Sequence, residues 1–182
     1  VSEAPLRELR EQPFALLAEL DRRLRATRFE AGEEQFWTGL AFRLGEDGYV
    51  VPGDEVREVL PLPTLTRVPG AADWLLGVAN VRGELVPICD LRRLSGYPAP
   101  VPGRDARVMV FQHPQGPMGF LVDSVHGHRQ FVPADQKHAL ADELAPPLGD
   151  WLLGAFVRDG ASWRVLSLHR LSAAGLFNQA VA

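Results

Sequence analysis

The sequence predicts a mainly β chain built from two similar small units that share one core. Three observations carry this. From residue 35 onward, short runs rich in β-favouring apolar residues alternate with Gly, Pro and Asp turns. The chain also resembles itself when slid by 77 positions. Each copy is about 60–70 residues long, a size that is marginal alone, so the two are expected to pack together.

Element by element, the first signal is helical. Pro13 is tolerated in a first helical turn, and Phe14, Leu17, Leu20 and Leu24 then recur at helical spacing. This predicts an amphipathic helical extension over residues 1–34. Strands are expected over Phe36 to Leu44 and Tyr49 to Val51, around the turn Gly45-Glu46-Asp47-Gly48, and over Glu55 to Leu60, ended by Pro61 and Pro63. Ala72 to Leu76 reads as a short helix stopped by Gly77. Glu84 to Leu91 reads as a strand that Pro87 breaks or confines to a sheet edge.

The Pro/Gly-rich stretch Gly96 to Gly103 is the candidate linker. Strand signals resume at Arg107 to Phe111, Met118 to Val125, Arg129 to Val132 and Trp163 to Leu168. A loop is expected at Ala145 to Gly149, and a short helix from Ser172.

In the repeat register, Trp74-Leu75-Leu76-Gly77 lies on Trp151-Leu152-Leu153-Gly154, and Arg93-Leu94-Ser95 lies on Arg170-Leu171-Ser172. Residues 74–95 give 9 identities in 22 ungapped positions, where average residue usage would give about one or two. A weaker echo joins Gly48-Tyr49-Val50-Val51 to Gly119-Phe120-Leu121-Val122. Two small units of this kind are expected to curl into barrels that limit exposed strand edges.

Composition narrows the function. Formal net charge is −4 and 18 of the 19 basic residues are arginine, so neither nucleic acid nor direct membrane insertion is expected. No run approaches the ~20 apolar residues that span a bilayer, and residues 1–28 lack the apolar core of a signal peptide. A single cysteine, Cys89, excludes an intrachain disulfide. A cytoplasmic location follows as the expectation.

Enzyme signatures are weak. His126-Gly127-His128 with Asp123 has metal-ligand chemistry, but no third strong ligand such as cysteine lies nearby, and a solvated strand end is the expected reading. Cys89 lies in an apolar strand where thiols are usually inert. Neither Ser124 nor Ser167 sits in a nucleophile elbow, and no phosphate-binding glycine loop is present. No enzyme, metal or cofactor is expected.

The run Trp74-Leu75-Leu76-Gly77-Val78-Ala79-Asn80-Val81-Arg82-Gly83, leading into Glu84-Leu85-Val86-Pro87-Ile88-Cys89-Asp90-Leu91, resembles the signature of CheW-like coupling domains. That signature is an apolar segment, Gly, Asn-x-Arg-Gly, then an apolar strand carrying Pro and ending in Asp-Leu. Gly119-Phe120-Leu121-Val122-Asp123-Ser124-Val125 matches the second half, and the resemblance covers residues 36–176. Trp37 to Leu44 and the N-terminal helix are most similar to the coupling proteins of type IV pilus (twitching motility) chemosensory systems.

The resemblance implies a CheW-like domain over residues 35–182, with approximate subdomains 35–97 and 104–176 between which terminal strands are free to exchange. Each would be a five-stranded SH3-like β-barrel packed on a shared hydrophobic core, with the N-terminal helix and short additional helices outside. The implied function is non-catalytic. One surface would bind the regulatory domain of a CheA-type histidine kinase and another the cytoplasmic tip of a methyl-accepting chemoreceptor, in a membrane-associated array. Two alternatives stay open: a regulatory domain cut from a larger kinase, and a pilus-associated scaffold without kinase coupling.

The same resemblance places Val56, Gly77, Arg82, Arg107 and Gly119 at the receptor groove and supports an ion pair between Glu58 and Arg82. Asn80 and Gly83 are expected to form the turn around Arg82, Asn80 through a local side-chain to backbone hydrogen bond. Each has a structural alternative: Arg82 as a fold-supporting ion pair only, Val56 as core, the glycines as backbone turns. Arg107 departs from the family, which carries an apolar residue there. If it faces a receptor, it implies a receptor with a complementary acid.

Overall fold

The computed structural model describes residues 36–98, 100–113, 116–136 and 148–173. The helix expected within residues 1–34 lies outside them. Among the described residues, ten strands and two short α-helices form in the order β1 (Trp37–Leu44), β2 (Asp47–Pro52), β3 (Val56–Pro61), β4 (Leu75–Val81), β5 (Glu84–Asp90), α1 (Leu91–Leu94), β6 (Arg107–His113), β7 (Gly116–Val122), β8 (Ser124–Phe131), β9 (Leu152–Arg158), β10 (Ala161–Leu166) and α2 (Leu168–Ala173). They make two five-stranded sheets, ordered β8-β1-β2-β10-β9 and β3-β6-β7-β5-β4.

The repeat is visible in both sheets. The first five strands and the last five follow the same plan, but each half lends its opening hairpin to the other. Hairpin β1–β2 joins β8, β10 and β9, while β6–β7 joins β3, β5 and β4. The joins are equivalent: β2 runs parallel to β10 through Val50 and Val165, and β7 runs parallel to β5 through Gly119 and Ile88.

Local detail repeats as well. The β4–β5 and β9–β10 turns both open on a left-handed non-glycine residue, Arg82 and Asp159 at φ 52°, and continue through left-handed Gly83 and Gly160. Two positive φ angles give the mirror-image turn whose twist suits a two-residue hairpin. The amide of Asp90 donates to the Trp74 carbonyl (2.7 Å), and that of Ser167 donates to the Trp151 carbonyl (3.0 Å). Asp90 then caps α1 by accepting from the Arg92 amide, and Ser167 Oγ accepts from the Arg170 amide in α2.

Two local expectations are corrected. Ala72 to Leu76 is not a helix: Leu75 opens β4, because a short apolar run carries no helical period to separate it from a buried strand. Pro87 neither breaks β5 nor marks an edge, since β5 lies between β7 and β4. Its partner Val78 turns both its amide and its carbonyl outward to Thr66. Pro87 therefore occupies a non-hydrogen-bonded pair, and the ladder to β7 starts only at Ile88. A short helix covers Leu168–Ala173, and the rest of the tail expected to be helical from Ser172 lies outside the described residues.

Apolar residues fall into three clusters. The central one lies between the sheets and includes Phe42, Tyr49, Phe111, Phe120, Leu152 and Leu168. The opposite face of the first sheet buries Trp37, Val50, Phe131, Phe156 and Trp163, drawn from all five of its strands. The opposite face of the second sheet buries Val81, Ile88, Val108 and Leu121, with Leu60 of β3 against them. A sheet whose strands meet in a cluster on one face has to curl around it.

Acids from the crossing segments hold the two helices. Between β2 and β3, Glu55 accepts the Leu168 amide at the start of α2 (2.8 Å). Between β7 and β8, Asp123 accepts from Arg92 Nε of α1 (2.8 Å) and from the Gly45 amide. Burial pushes the Glu55 carboxyl up to about 7, against the pull of the Leu168 amide, and neighbouring Asp54 adds to the rise. Burial lowers the nearby His169, which packs edge-on to Phe111, and His113 adds to that fall while Asp54 opposes it. A third polar group joins the sheets where Tyr97 donates to Asp47 (2.8 Å), which also pairs with Arg164 (2.8 Å).

A carboxyl raised on folding favours the folded state most below its unfolded value, near 4.5, and loses that contribution as the pH rises through about 7. Glu55→Gln keeps an acceptor for the Leu168 amide and removes the titration. Urea unfolding from pH 4.5 to 8 should show the stability difference moving in favour of the variant by about 3 kcal/mol. Equal pH slopes for the two proteins would refute the assignment. Gly77 has no such latitude: its φ is 147° and an added Cβ would lie 2.4 Å from the Thr66 carbonyl oxygen. Gly77→Ala should therefore cost roughly 2–4 kcal/mol in the same assay.

Candidate functional site

β3 and β4 are opposite edges of the second sheet. Even so, Glu58 Oε2 of β3 lies 3.0 Å from Arg82 Nε, just past the end of β4. The ion pair spans the seam where the curled sheet meets itself, so it reports the curl as well as charge. The seam continues at Thr66, which follows β3 and exchanges two backbone hydrogen bonds with Val78 of β4 (2.9 and 2.8 Å). The first sheet has a matching seam, where Arg158 of β9 donates to the Gln130 carbonyl of β8 and pairs with Asp135 (3.4 Å).

A β-bulge equips the seam. The register of β3 on β6 shifts between Val56 and Glu58, leaving Arg57 as the extra residue. Arg57 and Glu58 thereby reach the same cluster, although adjacent strand residues normally face opposite ways. Arg57 pairs with Glu84 Oε2 (2.7 Å) and Glu58 Oε1 (3.3 Å), and donates to Gln112 Oε1 (3.3 Å). Arg82, Glu58, Arg57 and Glu84 thus form a chain of alternating charge.

The turn presents Arg82. Asn80 Oδ1 accepts the Gly83 amide (2.8 Å) and fixes the loop. The Arg82 side chain is 79% exposed while Glu58 beneath it is 17% exposed. An exposed pair of this kind is worth ~0–1 kcal/mol, and a left-handed non-glycine residue costs roughly 1–2 kcal/mol. Stability alone therefore gives no reason for arginine here, and the lasting effect of the pair is to aim the guanidinium outward.

The remaining expected site residues scatter. Val56 is partly buried against the central core and pairs with Phe111. Gly77 is buried against Thr66, and Gly119 is buried between Ile88 and Val108, so neither position has room for a side chain. Arg107 lies at the far end of the β3–β6 pair, opposite Pro61, and donates to the carbonyls of Arg104 and Ala106 (2.9 and 2.8 Å). The structure joins Glu58 to Arg82 and Asn80 to Gly83, but not Arg107 to either pair.

Arg57, Glu84 and Gln112 were not singled out by sequence reasoning, nor was Val59, an apolar residue of β3 that is 39% exposed. Glu84 stands two residues beyond Arg82 in the same motif, which was the one available signal. Arg57 gave none, because a bulge leaves no mark in an alternating pattern.

Asp123 is bound to Arg92 rather than aimed at His126, whose Nε2 lies 3.0 Å from Ser124 Oγ. Among the described residues no group of three His, Cys, Asp or Glu is placed to hold a metal. Cys89 is fully buried, and burial pushes its thiol up to about 12. No helix among the described residues is long and apolar enough to cross a membrane.

Comparison with known proteins agrees with this architecture. The CheW-like domain family matches residues 38–175. PilI of Pseudomonas aeruginosa is 38% identical over 164 residues, covering 88% of this chain and 91% of that protein. FrzA of Myxococcus xanthus is 34% identical over 117 residues, 64% of this chain and 67% of FrzA. The crystal structure of the scaffolding protein TtCheW from Thermoanaerobacter tengcongensis superposes with a TM-score of 0.65 at 22% identity, over 75% of this chain and 92% of that one, a likeness of fold. With two five-stranded sheets, the Asn-x-Arg-Gly turn and a family match across nearly all the described residues, this chain belongs to the CheW-like domain family.

Proposed function

We propose that the protein is a non-catalytic adaptor that couples the cytoplasmic tip of a methyl-accepting chemoreceptor to the regulatory domain of a CheA-type histidine kinase. The similarity to PilI over most of both chains supports a role in type IV pilus twitching motility. On this reading the protein is cytoplasmic and recruited to membrane-associated arrays, residues 35–182 act as one coupling domain, and each sheet closes as an SH3-like barrel. The clusters fed by all five strands and the ion pair across the seam support that closure.

The observation that carries the proposal is Arg82, exposed on a rigid turn and held by a half-hidden Glu58. A receptor tip is helical, and a helix laid beside β3 would meet Val56 and Val59 with its apolar stripe and Arg82 with an acid. Coupling then needs no chemistry. Different contacts with the receptor's states are enough to bias the kinase.

Separate and joint pull-downs with a kinase regulatory domain and a receptor-tip fragment test this. The wild-type protein should hold both at once. Arg82→Ala should lose at least about tenfold in receptor-tip affinity, in line with a central arginine contact, and keep kinase binding. Binding to neither partner would remove the function and return the pilus scaffold reading. Unchanged receptor binding by the variant would leave Arg82 with a structural role only.

A further inference from the structure

The charge chain at the seam has an end that the function so far leaves unused. Glu84 opens β5 just past the Arg82-Gly83 turn, and it pairs across the hairpin with Val81. Its side chain is 50% exposed, and its carboxylate is held by Arg57 Nη1 at 2.7 Å. Arg82 engages Glu58 through Nε, at the base of its guanidinium, and forms no second ion pair among the described residues. The terminal nitrogens of Arg82 are therefore the unpaired end of the chain, and the carboxylate that flanks the same turn is already occupied.

We propose that Arg57 is a sequestering residue: by holding Glu84 it keeps that carboxylate off Arg82 and so preserves the guanidinium fork for an acidic side chain of the partner. The proposal rests on the reading of Arg82 as the receptor contact. Exposed ion pairs exchange partners readily, because each is worth little against solvent. Without Arg57, one guanidinium is left with two carboxylates, and Glu84, two residues along the same hairpin, is released to compete for the outer face. A neutral cluster becomes net negative, so it repels an acid in addition to masking the cation that would bind one. The bulge makes the arrangement possible, since an unbulged β3 would turn Arg57 away from Glu58. Glu84 is thus a built-in competitor, and Arg57 sets how strongly it competes.

Affinity for a receptor-tip fragment that the wild-type protein binds, and for the kinase regulatory domain, tests this at low ionic strength. Arg57→Ala should weaken receptor-tip binding by about three- to fivefold, the upper range of one surface charge contact. Adding Glu84→Gln to it should restore affinity to within about twofold of wild type, because the competitor is gone. Glu84→Gln alone should bind the tip at least as tightly as wild type, and kinase binding should stay level throughout. A purely structural Arg57 predicts no rescue, so a double variant as weak as Arg57→Ala overturns the proposal, as does an Arg57→Ala protein of wild-type affinity. Arg82→Ala serves as the separate control. If it binds the tip normally, the receptor reading itself fails, whereas its loss of binding without rescue of Arg57→Ala defeats only the sequestration.

Discussion

The central core places Phe42 and Tyr49 of one sheet against Phe111 and Phe120 of the other, and it depends on the exchange of hairpins between the halves. Each five-stranded sheet is apolar on both faces. A flat sheet of that kind would leave one face in water, so each covers one face with its neighbour and curls the other around its own cluster. The strand order then fixes where the seams fall. The second sheet must meet itself between β3 and β4, and the Glu58–Arg82 pair lies at that meeting.

The two concave clusters are not alike. The first sheet fills its interior with Trp37, Phe131, Phe156 and Trp163, including a stacked Phe131–Phe156 pair with centroids 4.5 Å apart. The second uses alanine, valine, isoleucine and leucine, together with Gly119, whose missing side chain lets Ile88 and Val108 close in. The surfaces above them differ accordingly. Arg129 stacks on Trp163 at 4.4 Å in the first, while the second carries the alternating ion pairs. A duplicated framework has therefore become a molecule with two chemically different ends.

Much of this was legible in the sequence for physical reasons. Trp74-Leu75-Leu76-Gly77 and its copy 77 residues on are legible because they occupy equivalent places, where β4 and β9 each carry one extra residue, Leu76 and Leu153, just before the glycine. The Glu58–Arg82 pair was legible only through the family motif, since nothing local brings residues from opposite sheet edges together. The strand character of Leu75 to Val81 was hidden by the brevity of its apolar run, and β8 was read only in part because Ser124 to His128 is polar on its exposed side. Arg57 was beyond reach: a bulge is set by tertiary closure, and its residue looks like any solvated arginine. Glu55 was invisible for the same reason, because its environment is a helix that arrives 113 residues later.

The hairpin exchange also governs how the chain comes into being. As the protein leaves the ribosome, β1 and β2 can pair with each other, but their outer neighbours are β8, paired through Phe131, and β10, paired through Val165. The first sheet therefore stays incomplete until nearly the whole domain has been synthesised, while its apolar strands wait in water. Such long-range pairing slows folding and exposes unpaired edges in the interval. Until β8 and β10 emerge, the nascent first half thus presents the open edges of β1 and β2, on which any passing strand can template itself.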